Sequence, residues 1–207
     1  MTDTDHVRLR TPTVADGQAL WQIAVDSATL DVNSPYAYLL WCRDFASTSV
    51  VAEVDGEPGG SASLDGGEAK LGPPHKPGGS ASLDGGEAKL GPPHRLGGFV
   101  TGYRRPEQPQ TLMVWQVAVN AAHRGAGLAG RMLDHLATTQ VTQGVTHLET
   151  SITPDNDASR RLFSAFARRW DAPLECSELF GADLFAESHL AEELFRIGPL
   201  RVHQRRQ

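Results

Sequence analysis

Residues 112–119 read LMVWQVAV, an apolar run of strand length, which passes through NAAH into RGAGLAG (124–130) and then a helix from 128 to about 140. A buried strand that feeds a helix through so many small residues leaves its backbone open to close approach. The unpaired N–H groups at the start of such a helix are a site for phosphate oxygens, and Arg124 adds positive charge. The spacing is neither GxxxxGK[ST] nor GxGxxG, so it fits neither the P-loop nor the dinucleotide fingerprint. By itself the loop is equally a tight turn that packs helix on strand.

The flanking patterns give an ordered set of elements. Alternation over 6–10 predicts a short strand, Thr13 caps a helical run with Leu20, Trp21, Ile23 and Ala24, and a second helix spans 34 to about 45. Segments 49–54 (SVVAEV) and 97–103 (GGFVTGY) read as strands meeting at a hairpin. Beyond the central strand and helix lies a strand at 146–152. A helix from Asp155 follows, with Ala158, Leu162, Phe163 and Phe166 at helical spacing and Arg168 and Arg169 near its C-terminal dipole. Strand-like pieces at 174–179 and 194–200 end the series. The order βααβββαβαββ mixes hairpins with one βαβ unit. It predicts an α/β fold of α+β layers, a mixed, mostly antiparallel central sheet of about six to seven strands flanked by about four helices.

One stretch does not belong to that pattern. Residues 58–76 and 77–95 are two copies of a 19-residue unit that differ only at the last position. Their 38 residues hold 10 Gly and 6 Pro, no aromatic side chain and balanced charges, which cannot offset the ordering entropy. A solenoid would need three or more units. The only lysines of the chain, Lys70, Lys76 and Lys89, lie inside the repeat. The expectation is a single domain over 1–207, interrupted at 58–95 by a disordered insertion at a hairpin tip, with a binding tether as the alternative. Closure entropy grows only logarithmically with loop length, so a tip tolerates this.

Setting those 38 residues aside from the 207 leaves 169, an ordinary domain that carries the whole formal net charge of −6. That balance argues against nucleic acid as a partner and suits a cationic small molecule. Cys42 and Cys176 form no CxxC pair, so neither a disulfide framework nor a zinc site is suggested. His75 and His94, each beside Pro-Pro, read as solvated. No run approaches the roughly 18 apolar residues of a membrane span, and the polar start lacks a leader's features. The expectation is a cytoplasmic protein without metal or membrane partner.

R-x-x-G-x-A in the loop resembles the acetyl-CoA pyrophosphate loop of the GNAT N-acetyltransferases, and NDASRRLF (156–163) resembles that family's second signature, N-x-x-[AS]-x-x-L-[YF]. The resemblance implies the GNAT fold and acetyl-CoA as co-substrate. Arg124, Gly125, Ala126, Gly127, Leu128 and Ala129 would hold the pyrophosphate, and Asn156 would join the same site. The backbones of Val117, Ala118 and Val119 would run beside the pantetheine, which lies like an added strand. The similarity extends to one branch: DVNSPYAYLL (31–40), GGFVTGYRRP (97–106), TLMVWQVAV (111–119) and ELFRIGP (193–199) resemble the L-2,4-diaminobutyrate acetyltransferases of ectoine synthesis. This implies L-2,4-diaminobutyrate as substrate, acetylated on its γ (N4) amine, and a homodimer.

Two amines and a carboxylate on a short chain call for acidic groups and an apolar or aromatic wall. Asp31, Asn33, Ser34, Tyr36, Trp115, His189 and Glu192 are the matching positions. Asp31 also reads as a helix cap or loop carboxylate, a role for which Asn33 and Ser34 compete, and Trp115 also reads as core. His189 and Glu192 share one face if their segment is helical, or form a solvated pair. An alkyl ammonium with a pKa of about 10 must lose a proton before it attacks. Glu192, directly or through water, is the first candidate base, with His189 or Asp31 next, and a main-chain N–H near Val117 would hold the oxyanion. Phe163 stands where many GNAT enzymes carry a tyrosine that protonates the thiolate, which leaves that step to water. Another diamine or a polyamine as acceptor, or a CoA-binding sensor without catalysis, are the alternatives.

Overall fold

The computed structural model describes residues 7–27, 30–54, 95–185 and 190–201, and there seven strands and four helices follow in the order expected. They are β1 (Val7–Arg10), α1 (Gly17–Ser27), α2 (Pro35–Asp44), β2 (Val50–Val54), β3 (Arg95–Arg105), β4 (Gln108–Val119) and α3 (Leu128–Thr142). β5 (His147–Ile152), α4 (Asp157–Arg169), β6 (Leu174–Phe180) and β7 (Glu192–Ile197) complete the set. One sheet holds all seven strands in the order β1-β2-β3-β4-β5-β7-β6. Only β4 and β5 pair in parallel, as expected of two strands joined through a crossover helix. Most of the tandem repeat lies outside the described residues. Its last residue, Arg95, belongs to β3 and pairs with Val54 across the hairpin.

β3 and β4 extend further than expected, over Arg95–Arg105 and Gln108–Val119, and three other boundaries differ for local reasons. α1 starts at Gly17 because Val14–Asp16 form a 3₁₀ turn, in which the Asp16 carboxylate accepts from the Thr13 N–H at 2.7 Å and from its hydroxyl at 3.0 Å. The α4 cap is Asn156, not Asp155: its side-chain oxygen accepts from the Ser159 N–H at 3.0 Å. β7 begins at Glu192 rather than 194, in a hexamer whose alternation of Glu193, Phe195 and Ile197 with Glu192, Leu194 and Arg196 is that of a half-covered strand.

Each face of the sheet has its own core. Val50, Val100, Leu112, Leu148 and Phe195 pack against Met132, Leu133, Phe163 and Phe166 of α3 and α4. Val51, Phe99 and Ala118 pack on the opposite face against Leu20 and Ile23 of α1 and Tyr38 of α2. Tyr38 and Phe99, both fully buried, meet edge to face with centroids 6.3 Å apart. These two layers fix β3 and β4 from both sides, which leaves the end of β4 as a rigid platform.

Arg10 ties β1 to the entry of α1. Its two Nη groups donate to the two oxygens of Asp16 at 2.8 Å each, and its Nε donates to Glu53 of β2 at 3.3 Å. Burial alone would raise the Asp16 carboxyl, but the hydrogen bonds from Arg10 and Thr13 outweigh it and hold the group below its ordinary value. A carboxyl depressed in the folded state stabilises above its unfolded pKa, and that contribution is lost as pH falls through the folded value. Asp16→Asn is therefore expected to lower the unfolding free energy by about 1–3 kcal/mol at neutral pH. Urea titrations should show the gap to wild type closing as the medium is taken down to about pH 3.

Candidate active site

β4 and β5 are hydrogen-bonded through three positions only, Thr111 with His147, Leu112 with Leu148 and Met113 with Glu149. Past Met113, β4 stays paired with β3 as far as Val119, and β5 with β7 as far as Ile152, so the two strands fork. A strand edge exposed in mid-sheet offers N–H and C=O groups that an extended ligand can take up. A bulge reinforces the divergence: Thr101 pairs with Gln116 and Gly102 with Val114, which makes Trp115 the extra residue of β4.

At the wide end of the fork the chain turns through Ala121–His123, where the Asn120 side chain accepts from the Ala122 N–H at 3.1 Å. Arg124 Nε donates to the carbonyl of Val119 at 3.2 Å. Gly125 and Gly127 have φ of 81° and 74°, the left-handed region that favours glycine, and nothing lies within 4 Å of where a Cβ would stand on either. Gly127 occupies the N-cap of α3 and supplies no side-chain cap, so the first-turn N–H groups remain for an anion.

Loop, helix start and strand end enclose an open cleft of about 790 Å³. Of the expected cofactor residues, Val117, Ala118, Val119, Arg124, Gly125, Gly127, Leu128, Ala129 and Asn156 line it, whereas Ala126 does not. The oxygen of Asn156 is engaged by its helix, which leaves the amide NH₂ for a ligand. The donor set, main-chain amides plus arginine beside an apolar strand edge, fits a pyrophosphate with an extended amide tail. Sequence reasoning missed Ser27, Leu30, His123, Arg131, Ser159 and Arg161 on the same walls, and Arg169, which Asp134 holds at 2.8 and 3.1 Å. Ser159 and Arg161 lie within the NDASRRLF signature, so that motif could have flagged them.

The expected acceptor residues that the structure describes stand outside this cleft. The Asp31 carbonyl accepts from Gln116 Nε2 at 3.0 Å, which pins the α1–α2 connection to β4 next to Trp115, and Leu30 lines the cofactor cleft itself. The Asn33 amide donates to the Asp31 carbonyl at 3.3 Å, a loop-bracing role. Ser34 is the N-cap position of α2 but makes no capping hydrogen bond, with Pro35 following. Tyr36 is 66% exposed on α2. Trp115 is half-buried and stacked on Trp41 of α2, centroids 4.1 Å apart; Trp41 was not singled out from sequence because nothing local links it to β4.

Glu192 opens a strand, so of the two alternatives for this pair the shared helical face does not form at Glu192; His189 lies outside the described residues. Strand alternation puts Glu192, Leu194 and Arg196 on the face that carries Glu149, Met113 and Trp115. Glu193 pairs with Ile152, three residues beyond Glu149, and Val117 lies a comparable distance beyond Met113. Glu192 and the Val117 backbone therefore occupy the same, wide end of the fork. Phe163 is 2% exposed within the core and brings no hydroxyl to the cleft.

The sequence profile of the acetyltransferase (GNAT) family matches residues 86–167. A Streptomyces avermitilis protein named L-2,4-diaminobutyric acid acetyltransferase is 48% identical over 200 residues, 95% of this chain and 90% of that protein. Its namesake from Halomonas elongata is 35% identical over 95% of this chain and 83% of that protein. The solved diaminobutyrate acetyltransferase of Paenibacillus lautus, in complex with L-2,4-diaminobutyric acid and coenzyme A, superposes with a TM-score of 0.71 at 33% identity, covering 93% and 95% of the two chains.

A Cβ at Gly127 would meet no neighbour, yet an L-residue held in the left-handed region costs about 1–2 kcal/mol. Gly127→Ala is expected to weaken coenzyme A binding about tenfold by titration calorimetry, with the thermal midpoint of the unliganded protein lowered by only a few degrees.

Proposed function

We infer that this chain, which belongs to the GNAT acetyltransferases and within them to the L-2,4-diaminobutyric acid acetyltransferase family, transfers the acetyl group of acetyl-CoA to the γ-amine of L-2,4-diaminobutyrate, the acetylation step of ectoine synthesis. The observation that carries this reading is the β4–β5 fork with an uncapped, glycine-lined helix start at its mouth. Acetyl-CoA supplies an acyl group activated as a thioester. The loop amides and Arg124 hold its pyrophosphate, and the edge of β4 at Val117, Ala118 and Val119 takes the extended arm.

The acceptor amine attacks directly, without an enzyme-bound acyl group. Glu192 accepts the ammonium proton on a carboxylate oxygen, directly or through water, and a main-chain N–H of the Val117 region polarises the acyl oxygen. Asp31 and His189 contribute to holding the amines, Trp115 forms the aromatic wall, and Asn33, Ser34 and Tyr36 border the entry. With phenylalanine at 163, the departing thiolate takes its proton from water. The site works within a single cytoplasmic domain that pairs as a homodimer. Phe180, Leu184 and Leu190, exposed near the β6–β7 connection, support a partner surface there. The 58–95 repeat is a passenger apart from Arg95, which the closing of the β2–β3 ladder by Val54 and Arg95 supports.

Thiol release with L-2,4-diaminobutyrate as acceptor, and NMR location of the acetyl group on the product, test the reading directly. Glu192→Gln and Asp31→Ala should each lower turnover by about 10²-fold. Full activity in both would remove these residues from the site. Replacing 55–94 by a short Asn-Gly turn should leave kcat and KM within about twofold and raise stability by roughly 2 kcal/mol through the shorter closure.

A further inference from the structure

We propose that Arg105 and Arg196 bind the α-carboxylate of the acceptor, and that this anchoring turns the γ-amine, not the α-amine, toward the thioester. The proposal rests on the diaminobutyrate reading above.

Glu149 sits at the last hydrogen-bonded pair before the fork, 1% exposed. Its Oε2 accepts from Arg105 Nη1 at 3.0 Å, and its Oε1 accepts from Arg196 Nη1 at 2.6 Å. One buried carboxylate therefore faces two guanidiniums, one cation more than it balances. Each guanidinium has five N–H donors, of which a single one is engaged among the described residues. Both side chains keep over a third of their surface open, 39% for Arg105 and 35% for Arg196. Glu175 pairs in register with Arg196, yet makes no ion pair with it among the described residues. The neighbouring His147 is held toward its neutral form by burial and by the Arg196 charge, so it adds no competing cation.

The acceptor brings one carboxylate and two amines to a face where Glu192 supplies a carboxylate and Trp115 an aromatic surface. A carboxylate leaving water needs charge-assisted donors. Among the described residues, β4, β5, β6 and β7 carry no lysine and no arginine other than Arg196, and Arg105 reaches across from β3. Arg196 and Glu192 share a strand face four residues apart, about 13 Å between Cα atoms, a gap that two long side chains and a short amino acid can span. With the carboxylate at the narrow end, the α-amine stays beside it. The γ-amine then extends to the wide end, where Glu192 and the Val117 backbone lie.

The test compares two acceptors that differ only in the carboxylate, L-2,4-diaminobutyrate and 1,3-diaminopropane, in wild type and in Arg196→Ala, Arg196→Lys and Arg105→Gln. Removal of either arginine should raise KM for diaminobutyrate about tenfold or more, leave kcat/KM for diaminopropane within about threefold, and release N2-acetyl product alongside N4. Arg196→Lys keeps a cation over Glu149 and should fold with a near-native thermal midpoint and lose an intermediate amount. Equal losses on both acceptors in Arg196→Lys and Arg105→Gln would reduce the pair to a structural brace and overturn the anchor alone. A wild-type protein that acetylates diaminopropane but not diaminobutyrate would overturn the substrate reading and the anchor together.

Discussion

Two parallel strands joined by a crossover helix ordinarily stay paired along their length, because each pair formed satisfies groups that would otherwise be orphaned. Here pairing stops after Met113–Glu149, and everything that defines the site follows from that interruption. The edge of β4 becomes available to an extended ligand, and the wide end of the gap meets the N-terminus of α3.

An open fork in mid-sheet needs support from elsewhere. β4 is held against β3 by eight register pairs and is wedged apart from β5 by the bulge at Trp115. β5 is held by β7 across five pairs and by core contacts through Leu148 and Ile152. At the crotch, Glu149 gathers arginines from β3 and β7, bridging both sides of the gap at its narrow end. An ion cluster of this kind contributes little net stability over an apolar alternative, since desolvation opposes the attraction. Its directionality fixes where the gap begins, and its surplus cation gives that end a polarity.

The element order was legible because it rests on local signals: apolar alternation, helical spacing, and the small residues of the loop. The glycine-rich loop was legible for the same reason, being contiguous, and of the residues expected there only Ala126 falls off the cleft wall. What local pattern could not carry were relations across the sheet. Glu149 and its arginines are 44 and 47 residues apart, and the Trp41–Trp115 stack joins α2 to a bulge that depends on register. The spacing of His189 and Glu192 was weighed as a helical one, whereas the segment from 192 follows the period of a strand.

Register also explains how β2 and β3 can be joined by a connection as long as 55–94. The β3 strand begins just after it, and Gly97 accepts from the Asn120 N–H at 2.9 Å, in a place where a Cβ would lie 3.2 Å from Leu128 and 3.3 Å from His123. A slip that brought Leu96 to that place would drive a side chain into the contact, and a slip in either direction would turn Leu96 and Phe99 out of the α1–α2 core. The two buried hydrophobes and the glycine contact thus set the position of β3 from within the strand, without help from the turn. A hairpin whose register is fixed in this way needs from its connection only that it be long enough to close.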